Sequence, residues 1–260
     1  MTEVFAADWL SLREPADHAA RPRALLDALH TVLPGTEPLE VIDLGAGSGS
    51  NLRYLGPRLD RRQHWRLIDH DAALLEAVTT PGDVPFDTLC MALQAFPPPT
   101  LPPPQLITAS ALLDLVTEAW LARLVDYCIA HECVALLALS VDGRIQLDPP
   151  ASDDDRVLAA LQAHQNGPKD MGTALGTTAP ARAAALFRER GYRVESMASD
   201  WQLTPDEAEL QRQLLVGWHA AVIRQNPGDR QRFDDWLHTR VELLDRSHIR
   251  VGHQDLLAWP

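Results

Sequence analysis

Between Val41 and Leu52 the chain reads Val-Ile-Asp-Leu-Gly-Ala-Gly-Ser-Gly-Ser-Asn-Leu. Gly45, Gly47 and Gly49 alternate, and Asp43 stands two residues before the first of them. Glycine lets the backbone turn sharply and lets a ligand lie against bare main chain. The dinucleotide fingerprint asks for G-x-G-x-x-G, whereas position 50 here is Ser50 and the third glycine comes one residue early. A pyrophosphate has little use for a carboxylate at Asp43, but a ligand carrying an ammonium group does. That spacing argues against a nicotinamide dehydrogenase. Farther along, His164 shares a helical face with Val157 and Leu161, which turns it inward. An imidazole there suits a general base taking a proton from an acceptor oxygen or nitrogen, and a hydrogen-bonded structural histidine fits the same spacing. Ten histidines are present with no HxxxH or HxH pair, so no metal site is expected.

These residues need elements to position them. Leu39–Leu44 is a short apolar strand that runs straight into the glycines, and Asn51–Leu59 follows as a helix with Leu52, Leu55 and Leu59 on one face. Trp65–Asp69 is a second strand, followed by a helix through Leu74, Leu75 and Val78. Strand, turn, helix and strand within about 30 residues is the parallel βαβ unit. Phe86–Ala92 and Gln105–Ser110 read as strands three and four, separated by a proline-rich connector at Pro97–Pro104 that reads as a rigid polyproline-like spacer. A helix is expected over Glu118–His131, then a fully apolar fifth strand over Val134–Val141, ended by a turn at Asp142-Gly143. Residues 151–178 break the alternation with one short helix. A helix over Ala179–Gly191 and a sixth strand over Tyr192–Met197 restore it. Two amphipathic helices are expected at about Asp206–Gln225 and Asp229–Arg246, the second with a stripe of Phe233, Trp236, Leu237, Val241 and Leu244, before a last strand over Ile249–Ala258. At the N-terminus a helix is expected from Pro15, in the first turn, to Leu33, broken near Pro22.

The Asp43–Gly45–Gly47–Gly49 stretch resembles the acidic-x-G-x-G-x-G motif of class I S-adenosylmethionine-dependent methyltransferases. The resemblance covers Leu39–Val141 well. It implies an α/β fold: a doubly wound, mostly parallel seven-strand Rossmann-like sheet, with N-terminal helices and a helical insertion between the last two strands. It implies S-adenosyl-L-methionine as cofactor, with Asp43 engaging the amino group and the glycines making room. Asp69, ending strand two 20 residues after Gly49, matches the family's ribose-binding acid, for which two accepted hydroxyl bonds are the physical reason. Asn51 and His70, beside those two acids, join the cofactor set. Gln94 falls near the adenine position, where a surface glutamine is the plain alternative. Ser110 takes the small-residue position after strand four, and Asp114 then stands near the donor methyl. Arg13, Asp17 and Arg21 are spaced at i, i+4 and i+8. In a helix closing over the cofactor, Arg21 would pair with the methionine carboxylate; a surface salt-bridge ladder fits the same spacing.

The organisation expected is a helical cap over 1–35, a cofactor-binding core over 36–204 with an insertion at 150–178, a helical pair over 205–248, and a terminal core strand over 249–260. The pair either caps its own sheet or buries against a second copy in a homodimer. The formal net charge of −13, from 23 basic and 36 acidic residues, removes the broad basic footprint that a polyanion needs. The reading is therefore a methyltransferase acting on a small molecule, with Asp114 and His164 as candidate proton acceptors. RNA or protein methylation and a non-catalytic cofactor-binding role are the alternatives. Trp201, Trp218 and Trp236 fit either an apolar pocket wall or core packing, with packing favoured. Cys90, Cys128 and Cys133 lie in apolar runs without a CxxC pair, so buried thiols in a reducing cytoplasm are expected. No apolar run is long enough to span a membrane, and the acidic start is not a secretory signal.

Overall fold

The computed structural model describes residues 7–35, 38–80, 82–98, 101–169 and 172–260. Helices α1 (Ala7–Ala20) and α2 (Arg23–Val32) come first. They are followed by β1 (Leu39–Leu44), α3 (Ser50–Leu55), β2 (Gln63–Asp69), α4 (Ala72–Glu76), β3 (Phe86–Cys90) and β4 (Leu106–Ser110). Next are α5 (Glu118–His131), β5 (Val134–Asp148), α6 (Asp154–Gln165), the short antiparallel pair β6 (Pro168–Lys169) and β7 (Gly172–Thr173), and α7 (Ala179–Glu189). The chain closes with β8 (Arg193–Ala198), β9 (Trp201–Leu203), α8 (Ala208–Gln225), α9 (Arg230–Glu242) and β10 (His248–Trp259).

The main sheet runs β3-β2-β1-β4-β5-β10-β8, with β9 attached to β10 as an eighth strand. The five strands from β3 to β5 are parallel, and β10 is antiparallel to β5, β8 and β9. After β1 the chain pairs β2 on one side and β4 on the other. That reversal opens a crevice at the carboxyl ends of β1 and β4, the place where open α/β sheets bind ligands.

Adjacent residues of a strand point to opposite faces, and helices cover both faces of this sheet. Ile42, Leu44 and Ile107 pack with Trp120, Leu124 and Phe187 of α5 and α7. Val41 and Leu39 pack with Leu25 and Leu29 of α2 and Leu52 of α3 on the other face. The central strands are therefore nearly continuous apolar runs. A third core joins α6, α8 and α9 to β9 and the far halves of β5 and β10. It buries the apolar faces of the helical pair within the chain, leaving Val216 and Val241 as the exposed large apolar residues there.

Four expectations need correction. Pro15 lies inside α1, which starts well before it. Asp142-Gly143 does not end the fifth strand: Gly143 has φ +85° and the strand continues to Asp148, with a register shift against β10. The pair therefore makes a bulge, another use of a left-handed glycine. The inner face of α9 is Phe233, Trp236 and Arg240, while Val241 is 38% exposed. Arg240 is fully buried because it pairs with Asp154 and donates to the Pro149 carbonyl. Cys90 is exposed because β3 is the sheet edge, whereas Cys128 and Cys133 are buried. The proline connector is described except at positions 99 and 100, which lie outside the described residues. No described helix is long and apolar enough to cross a membrane.

Candidate active site

The turn after β1 is held in a shape that side chains resist. Gly45, Gly47 and Gly49 have φ of +67°, +53° and +85°, the left-handed region that costs other residues about 1–2 kcal/mol each. A Cβ on Gly49 would lie 2.9 Å from a Val78 methyl, and one on Gly45 would lie 3.2 Å from Leu112. Asp69 braces the turn: its Oδ2 accepts the Gly47 N–H at 2.8 Å and its Oδ1 accepts the Asp71 N–H at 3.0 Å. Oδ2 keeps a second lone pair for a hydroxyl. Exposed His70 lies with Nδ1 3.1 Å from Asp69 Oδ1.

Asp43 is sealed at the end of β1. Its Oδ1 accepts Asn51 Nδ2 at 2.9 Å, while Oδ2 is buried with no partner. Burial pushes the carboxyl up to about 7, against the opposing pull of the Asn51 bond and of Arg21. A buried polar atom without a partner is costly, and a cationic donor would satisfy it. Asn51 also donates to Thr108 Oγ1 at 3.0 Å and accepts from Arg21 Nη1 at 3.2 Å. Arg21 Nε donates to Asp255 Oδ2 at 2.6 Å, and Asp255 Oδ1 accepts the Leu139 N–H at 2.8 Å. One buried polar network thus ties β1, α3, β4, β5 and β10 together behind the crevice.

Beside the crevice lies a cavity of about 510 Å³. Trp9, Trp201 and Trp218 supply aromatic walls, while Asp114, His164 and His253 supply polar groups. Helix α1 belongs to both regions. Leu10 covers Gly47, Glu14 pairs with Arg53 of α3 at 2.5 Å, and Trp9 and Arg13 reach the cavity. The Arg13 guanidinium lies 5.0 Å from the Trp201 ring centroid, and Asp17 binds both Arg13 Nε at 2.9 Å and Trp201 Nε1 at 3.0 Å.

The sequence-derived residues therefore divide. Asp43, Gly45, Gly47, Gly49, Asn51 and Asp69 converge on the crevice, and Ser110 ends β4 next to it. Asp114 and His164 meet on the cavity wall. Arg21 sits one residue beyond α1 and is committed through Nε and Nη1. Gln94 is exposed on a short 3-10 turn after β3. Trp201 and Trp218 line the cavity, while Trp236 packs in the third core and donates to Asp154 at 2.8 Å. Sequence reading missed His253 and Asp255. His253 and Asp255 flank Gln254 on β10, and no local signal sets them apart.

No protein-family model matches the chain, and no curated protein sequence matches it. Solved structures do. A cyclopropane-fatty-acyl-phospholipid synthase-like protein of Lactobacillus casei superposes with TM-score 0.59 at 15% identity, covering 98% of this chain and 94% of the other. The cyclopropane synthase MmaA2 of Mycobacterium tuberculosis gives TM-score 0.54 at 12% identity, with the same 98% and 94% coverage. A candidate type II methyltransferase of Anaeromyxobacter dehalogenans gives 0.50 at 14% identity, covering 92% and 95%. The strand order, the crevice at its reversal and these superpositions agree that the chain has the fold of the class I S-adenosylmethionine-dependent methyltransferases.

Proposed function

We propose that the protein is a methyltransferase that uses S-adenosyl-L-methionine to methylate a small-molecule acceptor. The observation that carries this reading is the unpartnered, buried Oδ2 of Asp43 beside three left-handed glycines. A ligand with an ammonium group satisfies that oxygen, and the bare turn admits its body. In this reading Asp43 holds the amino group, Asp69 accepts the ribose hydroxyls, and the Gly45–Gly49 main chain lies against the cofactor. Arg21, held through Nε and Nη1 by Asp255 and Asn51, pairs with the methionine carboxylate. When bound, the cofactor supplies a methyl group already activated on a sulfonium. The chain then has mainly to orient the acceptor, hold water away and receive a proton where one must leave.

The cavity supports a small acceptor. At about 510 Å³ with three indole walls, it falls within the range of small-molecule sites. The net charge of −13 gives no footing for a polyanion. The test is transfer of labelled methyl from S-adenosylmethionine to a panel of phenols, alcohols, amines and thiols, with RNA and protein extracts as parallel arms. Label in a small molecule alone supports the reading. Label in RNA or protein alone replaces the acceptor class. Cofactor binding without transfer in any arm favours the non-catalytic alternative.

A further inference from the structure

His253 on β10 is 3% exposed and is one of the residues lining the cavity. Its Nδ1 lies 3.0 Å from the Val251 carbonyl oxygen. A carbonyl can only accept, so Nδ1 carries the hydrogen and Nε2 carries the lone pair. Among the described residues Nε2 has no hydrogen-bond partner, and it is not among the buried polar atoms left unsatisfied. The ring is braced on its other sides. Its main-chain N–H donates to Asp200 at 3.1 Å, and the Trp201 ring packs against it at 5.3 Å. The charged groups bearing on it are Arg13 and Asp17 from α1 and Asp255 from its own strand. Asp114 and His164 share the wall, and both are less buried than His253.

We propose that His253 Nε2 receives the hydrogen of a hydroxyl on the acceptor, so that the cavity takes a hydroxylated aromatic molecule and the product is its methyl ether. The proposal rests on the methyltransferase reading for the transfer, but not for the binding. Three indole walls suit a flat aromatic body, and an available lone pair on a cavity-lining residue suits a hydrogen-bond donor. In the step, the hydroxyl oxygen bonds to the methyl carbon, the carbon–sulfur bond breaks with its pair left on sulfur, and the O–H proton passes to Nε2. The products are a methyl ether, a neutral thioether and an imidazolium.

The imidazole is held neutral. Burial, with Arg13 adding to it, presses its pKa down to about 4. The ring is therefore neutral at pH 7, with its lone pair available. So weak a base does not ionise a resting phenol. It takes the proton as the new carbon–oxygen bond makes that oxygen positive.

The test uses the full chain with histidine labelled with nitrogen-15, titrated with phenol and, separately, with its methyl ether anisole. The expected result is a His253 signal with the hydrogen on Nδ1, whose Nε2 resonance moves toward the hydrogen-bonded range with phenol and stays in place with anisole. A His253→Gln spectrum assigns the signal, and the wild-type titration stands if that variant fails to fold. Phenol is expected to bind His253→Phe about fivefold more weakly than wild type, the worth of one hydrogen bond, with anisole unchanged. The proposal is overturned by a hydrogen on Nε2, by equal responses to phenol and anisole, or by absence of phenol binding. A failure to bind S-adenosylmethionine would leave these signals untouched, so the two readings fail separately.

Discussion

The glycine crevice and the aromatic cavity share one end of the sheet but are built differently. The core of the crevice comes from a stretch between Asp43 and Asp69, and backbone conformation shapes it: three left-handed glycines and a carboxylate brace. The cavity draws on Trp9, Asp114, His164, Trp201, Trp218 and His253, nearly the whole length of the chain, and packed side chains shape it. A backbone-built site admits few sequences, whereas a site of side chains on a fixed frame can change its lining without changing the fold. Each region also buries one titratable group held away from its ordinary range, Asp43 upward and His253 downward.

The largest expected effect is on the cavity side. Trp201 is 3% exposed and its indole N–H satisfies Asp17. Trp201→Ala should lower unfolding stability by about 3–5 kcal/mol, read by urea denaturation. A loss under about 1 kcal/mol would mean that α1 is not anchored there. Next comes Asp43→Asn. Removing the charged partner of a buried ammonium costs about 3 kcal/mol or more, so S-adenosylmethionine affinity should fall at least about a hundredfold. Phenol binding in the cavity should stay within about twofold of wild type, well inside the cost of one lost hydrogen bond. Equal losses for both ligands would erase the distinction between the two regions.

Gly49→Ala tests the backbone-built region more gently. A Cβ there meets Val78 at 2.9 Å in a left-handed conformation, so about 1–2 kcal/mol of strain should weaken cofactor binding about tenfold. Calorimetry on this variant gives the comparison. The smallest effects are the pH slopes. The folded state holds Asp43's proton up to about pH 7, while the unfolded chain releases it near its ordinary value. The stability tied to this group is therefore full below about pH 4 and lost as pH rises through 7. For His253 the unfolded chain takes up a proton that the folded chain refuses until about pH 4. That stability is present above about pH 6.5 and lost as pH falls through 4. The slopes oppose one another. Between pH 4 and 7, Asp43→Asn should tilt urea-derived stability upward with pH and His253→Gln should tilt it downward. A shared direction would contradict one of the two assignments.

The crevice was legible in the sequence because its parts are local: strand, glycines, helix and second acid follow one another, and turn chemistry names each. The cavity was only half legible. Asp114 and His164, named from the sequence, fall on its wall, but His253 and Asp255 gain meaning only when β10 inserts between β5 and β8. Asp142-Gly143 reads as a turn, and only pairing with β10 shows a bulge. Arg240 carries no local signal of burial, and its partner Asp154 comes from a distant helix. Local rules fail here for one reason: the deciding partner lies far away in the chain.

The most direct test of the central claim is titration calorimetry of wild type and Asp43→Asn with S-adenosylmethionine, and with NAD as control, at pH 6 in two buffers of different ionisation enthalpy. The account predicts binding of S-adenosylmethionine alone, release of about one proton per cofactor as the ammonium displaces the proton on Asp43, and loss of both signals in Asp43→Asn. Undiminished binding by a folded Asp43→Asn variant, or no binding by folded wild type, would contradict it.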